Sequence, residues 1–148
     1  MTRNYSLLLK VSAALWVVWG LVHILAGVLT ISQDAAGAVA GIADAVDPSL
    51  IAGDFHPAVD AVLNQHGFNL LWIGAFTVVG GVFVWRRSAT AIFMTAIVGW
   101  VTDIGYFIFM DLGGFVNFVP GTVMTIVSTA AVVLSLWAYF GQRSGAAS

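Results

Sequence analysis

The sequence predicts an all-α integral membrane protein, a single-domain bundle of four transmembrane helices with a partly helical segment between the first and the second. Two observations lead to this prediction. Apolar residues make up 60% of the 148-residue chain and charged residues only 8%, against about 25% in an ordinary soluble domain. Four apolar stretches also reach the roughly 20 residues that a helix needs to cross a bilayer core of about 30 Å. Because backbone groups in lipid must be hydrogen-bonded within their own segment, each stretch is predicted to be a helix.

The four spans follow one another with short connections except after the first. The first two are expected at residues 7–31 and 68–85. The N-terminal stretch starts with basic residues, as a signal peptide does, but its apolar run at 11–31 exceeds the roughly 7–15 residues of a signal core. We therefore interpret it as a membrane span. The third and fourth spans are expected at residues 89–110 and 118–140.

The outer segment, residues 33–67, is the only long stretch outside the predicted spans. Asp34 is a typical N-cap residue for a helix that runs to Val46, and the pair Asp47-Pro48 is expected to end that helix. This part of the chain is therefore predicted to be partly helical, and the alternative is a loosely ordered loop.

A second short helix is expected to start at Pro57, with Asp54 or His56 as its cap, because proline suits the first helical position. It either continues into the second span or bends at Gly67. Its apolar face, within residues 59–63, predicts a cover that lies on the membrane surface or over the outer mouth of the bundle.

Charged residues are segregated between the two sides of the predicted bundle. Every Asp except Asp103 falls in the outer segment or in the turn after the third span. The basic residues lie at the opposite ends of the spans and are Arg3, Lys10, Arg86, Arg87 and Arg143. The positive-inside rule then places both termini in the cytoplasm and the protein in the cytoplasmic (inner) membrane. No stretch is basic enough to bind a phosphate backbone, so no nucleic-acid partner is expected.

Asp103 lies inside the third predicted span, roughly 12 Å from its outer end at 1.5 Å per residue. A carboxylate at that depth costs several kcal/mol unless it is paired, hydrated or protonated, so Asp103 is expected to face the bundle interior. His23 in the first span has the same offset and is predicted to be its partner, directly or through one water. We assign these two residues the catalytic positions. The alternative is a structural Asp beside a neutral core His.

Other polar and aromatic residues at the same depth, or closer to the outer end, predict a polar ligand-binding pocket that opens outward above a dry inner half. They are Trp19, His66, Asn69, Trp100, Thr102, Tyr106, Thr122 and Thr125. Thr102 and Tyr106 are the next expected partners of Asp103. A Thr hydroxyl can bond a carbonyl of its own helix, so the prediction depends on the concentration of these groups rather than on any one of them.

Neither a metal nor a cofactor is predicted. The chain has no Cys, and its three His residues show none of the short spacings typical of metal ligands. His23 and His66 differ in depth by roughly 10 Å, which disfavours axial ligation of one haem. Nucleotide-binding, zinc-protease and serine-hydrolase motifs are absent from the sequence.

Three classes of function remain open. The first is binding of a membrane lipid or lipophilic small molecule in the outward-opening pocket, with acid/base chemistry at Asp103 and His23 as its enzymatic form. The second is an accessory subunit of a larger membrane complex, with Gly74, Gly80 and Gly81 as a close-packing face for a partner helix. The third is a homo-oligomeric proton- or cation-coupled transporter that uses Asp103 as its coupling site.

Overall fold

The structure is a computed structural model that describes residues 2–146, and it confirms the predicted all-α four-helix membrane bundle. The described residues form no strand and six helices, which are α1 (Thr2–Ile31), α2 (Ala35–Ile42), α3 (Pro48–Ile51), α4 (Pro57–Trp85), α5 (Ala89–Asp111) and α6 (Val123–Ala146). A short lead-in, Phe118–Thr122, precedes α6. Helices α1, α4, α5 and α6 are long and apolar enough to cross a bilayer, so the chain is a multi-pass membrane protein. We call the end of the bundle that carries residues 32–56 the cap end and the opposite end the terminal end.

Side-chain caps start both short helices of the cap end. The Asp34 carboxylate accepts the backbone N–H of Gly37 at 2.8 Å. The Asp47 carboxylate accepts the backbone N–H of Ser49 at 2.9 Å and its hydroxyl at 2.8 Å. The Ser49 bonds hold the pKa of Asp47 below its ordinary value, because both favour the ionised carboxylate. Asp47, expected only to end a helix, thus also begins one.

Helix α2 ends at Ile42, one turn earlier than predicted, because the residues after it bond to another loop. The backbone N–H of Ala45 donates to the Phe115 carbonyl at 3.1 Å. The Asp44 carboxylate accepts the backbone N–H of Asn117 at 2.7 Å, and the Asp44 carbonyl accepts the Asn117 side-chain amide at 2.9 Å. These bonds tie the end of α2 to the loop between α5 and α6.

Helix α4 runs unbroken from Pro57 to Trp85, so the predicted second short helix and second span are one helix. His56 is the N-cap, since its Nδ1 accepts the backbone N–H of Ala58 at 3.1 Å. Gly67, the expected site of a bend, is buried against α1 and lies within regular helix.

The cover over the cap end is formed by α2 rather than by the start of α4. Ala35 and Ala38 of α2 are buried, and the helix packs on α1 and α4. Val62, on the expected covering face of α4, is 63% exposed. The apolar spacing after Pro57 therefore indicated a longer transmembrane helix and not a lid.

The four long helices form a ring in which α1 packs against α4 and α6, and α5 packs against the same two helices. Helices α1 and α5 therefore face each other across the bundle axis. Two fully buried side chains of α1, Trp16 and Trp19, fill the space between them. Trp16 contacts Gly99 of α5, where no larger residue would fit.

A seam of small residues brings the backbones of α1 and α4 into contact. The facing pairs are Gly27 with Gly67, Gly20 with Gly74, and Ala13 with Gly81. They recur every seven residues on both helices, which is the repeat of a left-handed supercoil. A Cβ atom on Gly20 or Gly74 would lie 2.6 or 2.5 Å from the carbonyl oxygen of the other residue, so this approach requires glycine.

Helix α5 is interrupted by two π turns, Ala96–Trp100 and Phe107–Asp111, which flank the regular turn that carries Asp103. A π turn holds an extra residue and changes the direction in which the following side chains point. Such turns are frequent at functional sites. Asp103 lies between two such turns, which indicates that the backbone of α5 sets the direction of the Asp103 side chain.

Candidate functional site: an apolar cavity with a His–Asp pair

A cavity of about 630 Å³ lies in the cap half of the bundle, between the four long helices and beneath α2. Its apolar wall includes Val22, Ala26, Leu29, Leu70, Met110 and Met124. Polar side chains contribute little of the lining, so the cavity is more apolar than the sequence suggested. Asp103 and His23 also line it, on the side where the buried Trp19 lies behind them.

Asp103 points into the bundle, as its depth in the membrane predicted, and is 2% exposed. Its Oδ2 accepts the indole N–H of Trp19 at 2.7 Å, a bond that reaches across the axis from α1 to α5. The Ser128 side chain of α6 lies beside the same carboxyl group, although its hydroxyl donates to the Thr125 carbonyl. Asp103 is therefore enclosed by groups from three helices.

His23 lies one turn beyond Trp19 on α1 and stacks on its indole ring, with ring centroids 3.5 Å apart. The imidazole Nδ1 is 2.9 Å from the Trp19 carbonyl oxygen. A carbonyl can only accept, so Nδ1 carries a hydrogen and Nε2 is the nitrogen that faces Asp103. Nε2 lies 3.8 Å from Oδ1 of Asp103, within the direct or one-water distance that the sequence predicted.

An uncharged state of the His23–Asp103 pair, with one proton on Nε2 or Oδ1, fits the apolar surroundings of the pair best. A neutral imidazole with hydrogen on Nδ1 and an ionised carboxylate would place two bare acceptors 3.8 Å apart among apolar side chains. One proton, on Nε2 or on Oδ1, removes that conflict and gives either an ion pair or a neutral acid beside a neutral base. The pair can therefore both donate and accept a hydrogen bond toward the cavity, and it can pass a proton in acid–base chemistry.

One stripe of α1 passes from a contact with α6 into the cavity lining. It has spacings of three and four and consists of Leu15, Trp19, Val22, Ala26 and Leu29. At the terminal end of this stripe, Leu15 and Trp19 pack in one cluster with Ala131 and Val132 of α6. Toward the cap end the same stripe lines the cavity, and Leu29 is 49% exposed. The cavity lining therefore reaches the exposed surface of α1.

The structure brings Asp103, His23, His66, Thr102 and Tyr106 together at the cavity, as predicted from their depth. His66 is exposed and lies at the rim. Thr102 and Tyr106 line the wall but do not bond Asp103. Thr102 donates to the Val98 carbonyl at 2.7 Å, and the Tyr106 hydroxyl lies against Gly121.

Two predicted pocket residues lie on the outer surface of the bundle. Asn69 accepts the indole N–H of Trp72 at 3.1 Å, and the Trp100 indole donates to the Thr129 hydroxyl at 3.1 Å. Depth along a helix places a residue at the right level but leaves its rotation about the helix axis open, and rotation excludes these two from the cavity lining.

Two more predicted pocket residues lie at the start of the fourth span and outside the cavity lining. The Thr122 hydroxyl donates to the Asp111 carboxylate, which joins the ends of α5 and the lead-in. The Thr125 hydroxyl is buried without a hydrogen-bond partner. Neither hydroxyl therefore faces the cavity.

Sequence reasoning did not find that Trp19 holds Asp103, nor that Gly105 and Gly121 shape the cavity wall. The signal for Trp19 was its spacing of four residues from His23, which places both on one helix face. No comparable signal marks the two glycines, since a glycine leaves open what fills the space beside it.

The glycines expected to receive a partner helix are used inside the chain. Gly74 and Gly81 pack against α1, and Gly80 packs against the Thr95 side chain of α5. The expectation that Gly74, Gly80 and Gly81 form a free face for a larger complex is therefore wrong.

Among residues 2–146, no three His, Cys, Asp or Glu side chains are grouped so that they could hold a metal ion. Comparison with known protein families, curated proteins and solved structures finds no match to this chain. The cavity and its polar pair are therefore the features from which a function can be inferred.

Proposed function

We propose that the protein binds a lipophilic molecule in the cavity, with the head of that molecule against His23 and Asp103. The carrying observation is an apolar cavity of about 630 Å³ that contains a buried His–Asp pair. Its volume falls in the range of roughly 300–1,000 Å³ that small-molecule sites occupy, and such sites combine apolar walls with few polar groups.

The exposed apolar part of the cavity lining favours a ligand that comes from the bilayer. Leu25 and Leu29 line the cavity, are 58% and 49% exposed, and lie inside the first membrane span. A molecule that enters beside these side chains passes from lipid into the cavity without crossing water. We propose that the protein lies in the inner membrane with its cap end facing away from the cytoplasm, because the basic residues lie at the terminal end.

The polar pair also supports acid–base chemistry on the bound molecule, with His23 and Asp103 as the groups that exchange the proton. Transport finds less support, because the fully buried Trp16 and Trp19 lie between α1 and α5 on the terminal side of the pair. The same cavity serves a binding protein and an enzyme, and ligand binding is the step that both require.

Photoaffinity labelling tests the proposal with hexadecanol, hexadecanoic acid and hexadecylamine that carry a diazirine in the chain. At least one probe should label peptides that contain Met110 or Met124. Gly105→Leu should remove that labelling, since Gly105 lines the cavity and has nothing within 4 Å of an added Cβ. Val101→Leu, which places the same side chain on the exposed face of α5, is the matched control and should label normally. Failure of all three probes to label the cavity, or equal labelling in Gly105→Leu, would contradict the proposal.

A further inference from the structure

The polar groups that line the cavity differ in how much hydrogen-bonding capacity they leave for a ligand. The Thr30 hydroxyl donates to the Ala26 carbonyl at 2.9 Å, and the Thr102 hydroxyl donates to the Val98 carbonyl. Gln33 and His66 are exposed at the rim. The Tyr106 hydroxyl also lines the cavity, lies against Gly121 and makes no hydrogen bond among the described residues, so it is a further free polar group. Two free atoms that face each other at short range are Nε2 of His23 and Oδ1 of Asp103.

These two atoms are fixed by the same residue. The Trp19 carbonyl accepts a hydrogen bond from Nδ1 of His23, and the Trp19 indole N–H donates one to Oδ2 of Asp103. Nε2 and Oδ1 are left facing each other, 3.8 Å apart. That distance is too long for a good direct hydrogen bond. In the uncharged state of the pair, one of these two atoms carries a proton.

We propose that the ligand head is an uncharged hydroxyl group, so that the cavity selects long-chain alcohols; this rests on the proposed lipophilic ligand. A hydroxyl oxygen about 2.8 Å from each atom spans the gap between Nε2 and Oδ1. The hydroxyl oxygen accepts a hydrogen bond from the protonated atom of the pair, and the hydroxyl hydrogen is donated in a hydrogen bond to the other atom. Both sides of the pair are then satisfied and no charge enters the membrane.

Charge excludes anionic heads from this position. The basic side chains that the structure describes lie at the terminal end, where Lys10 packs over Trp85, Arg86 over Phe83 and Arg143 over Tyr139. No Lys or Arg lines the cavity. A carboxylate or phosphate beside Asp103 would therefore be buried without a counter-charge, which is strongly unfavourable.

A cationic head is also a poorer fit. An ammonium group would have to leave water and, on an uncharged pair, displace its proton, and desolvation of a buried ion pair offsets much of its attraction. An alcohol binds without either change. The order of affinity should therefore be alcohol, then amine, then carboxylic acid.

Competition against the labelled hexadecanol probe, on the purified wild-type protein at neutral pH, measures this order directly. Unlabelled hexadecanol should compete about tenfold better than hexadecanoic acid, which corresponds to one or two net hydrogen bonds. An acid that competes as well as the alcohol overturns the inference, while labelling of the cavity by the acid still supports a lipophilic ligand. The two proposals therefore fail separately.

Two variants check the recognition atoms. Asp103→Asn keeps the shape and an acceptor for Trp19 but removes the negative charge, so it should cost hexadecylamine more affinity than it costs hexadecanol. His23→Phe keeps the stacking on Trp19 but removes Nε2, so hexadecanol affinity should fall about tenfold. Hexadecylamine that binds most tightly to the wild type and is lost in Asp103→Asn would show that the site takes a cation, and would overturn the inference without any need for the His23 variant to fold.

Discussion

Trp19 links the two ionisable residues of the cavity because three parts of it act at once. Its indole N–H bonds Asp103, its carbonyl accepts from His23, and its ring stacks on the imidazole. A carboxyl group at the bilayer centre needs such a donor, since an unpartnered oxygen there retains its full desolvation cost. The residue is therefore expected to contribute to stability as well as to position the pair.

Trp19→Phe should lower the free energy of unfolding by about 1–3 kcal/mol more than Trp16→Phe does, because it leaves an oxygen of Asp103 without its donor. Trp16 is the matched control, since it is equally buried and its indole nitrogen has no hydrogen-bond partner. Thermal unfolding in detergent measures both variants. Equal losses would mean that the Trp19–Asp103 bond adds nothing beyond packing.

The depth of Asp103 and His23 in the membrane could be predicted from the sequence, because depth follows directly from the position of a residue along its helix. A carboxyl group that is expensive in lipid must turn inward, and equal offsets on two helices of the same direction give equal depth. The bond from Trp19 could not be predicted, because it depends on which helices face each other across the axis. The prediction that Trp100 lines the pocket is wrong for the same reason, since Trp100 lies at a suitable depth but its side chain points outward.

At the scale of helices, the contact between α1 and α4 depends on glycines rather than on hydrogen bonds. In lipid, no hydrophobic driving force holds two apolar helices together, so close backbone packing carries the association. The seam of facing small residues supplies that packing along most of both helices. It also places the bulky side chains of α1, including Trp16 and Trp19, toward the other side of the bundle.

Gly74→Ala should destabilise the protein by about 1–3 kcal/mol, because its Cβ would lie 2.5 Å from the Gly20 carbonyl oxygen and 2.8 Å from the Ile24 nitrogen, both in rigid backbone. Gly105→Ala is the control in a transmembrane helix, has open space around the added Cβ, and should be neutral or stabilising by up to about 1 kcal/mol, because Ala is the better helix former. Denaturation in mixed micelles compares them. A neutral Gly74→Ala would show that the seam tolerates looser packing.

Some helix boundaries can be predicted from local sequence patterns and others cannot. The start at Pro57 and the caps Asp34 and His56 were predictable, since cap and first-turn chemistry is local. The continuation of α4 through Gly67 could not be predicted. A glycine within a helix suggests a bend, and the contact with Gly27 that explains Gly67 is visible only in the structure. The π turns of α5 gave no sequence signal that we could identify.

At the scale of the whole molecule, composition alone determines the class of protein, and the bundle follows from the four apolar spans. The start of α1, the end of α6 and the turn between α4 and α5 lie at the terminal end, where Arg87 donates to the Ser6 hydroxyl at 2.8 Å. The acidic residues of the outer segment collect at the other end. This separation makes the orientation in the membrane a testable property of the fold.

Single-cysteine labelling in intact cells should modify Gly53→Cys and spare Gln142→Cys until the membrane is permeabilised. The natural chain has no Cys, so each variant carries one thiol. Gly53 lies at the cap end with open space around it, and Gln142 is exposed near the end of α6, so neither substitution disturbs a packed contact. Positive charge resists transfer across the membrane during insertion, so the terminal end, with its Lys and Arg residues, should remain in the cytoplasm. A membrane-impermeant maleimide that reaches Gln142→Cys from outside, but not Gly53→Cys, would reverse this orientation. It would place the cavity in the cytoplasmic half of the membrane, so the membrane leaflet that supplies the ligand depends on this result.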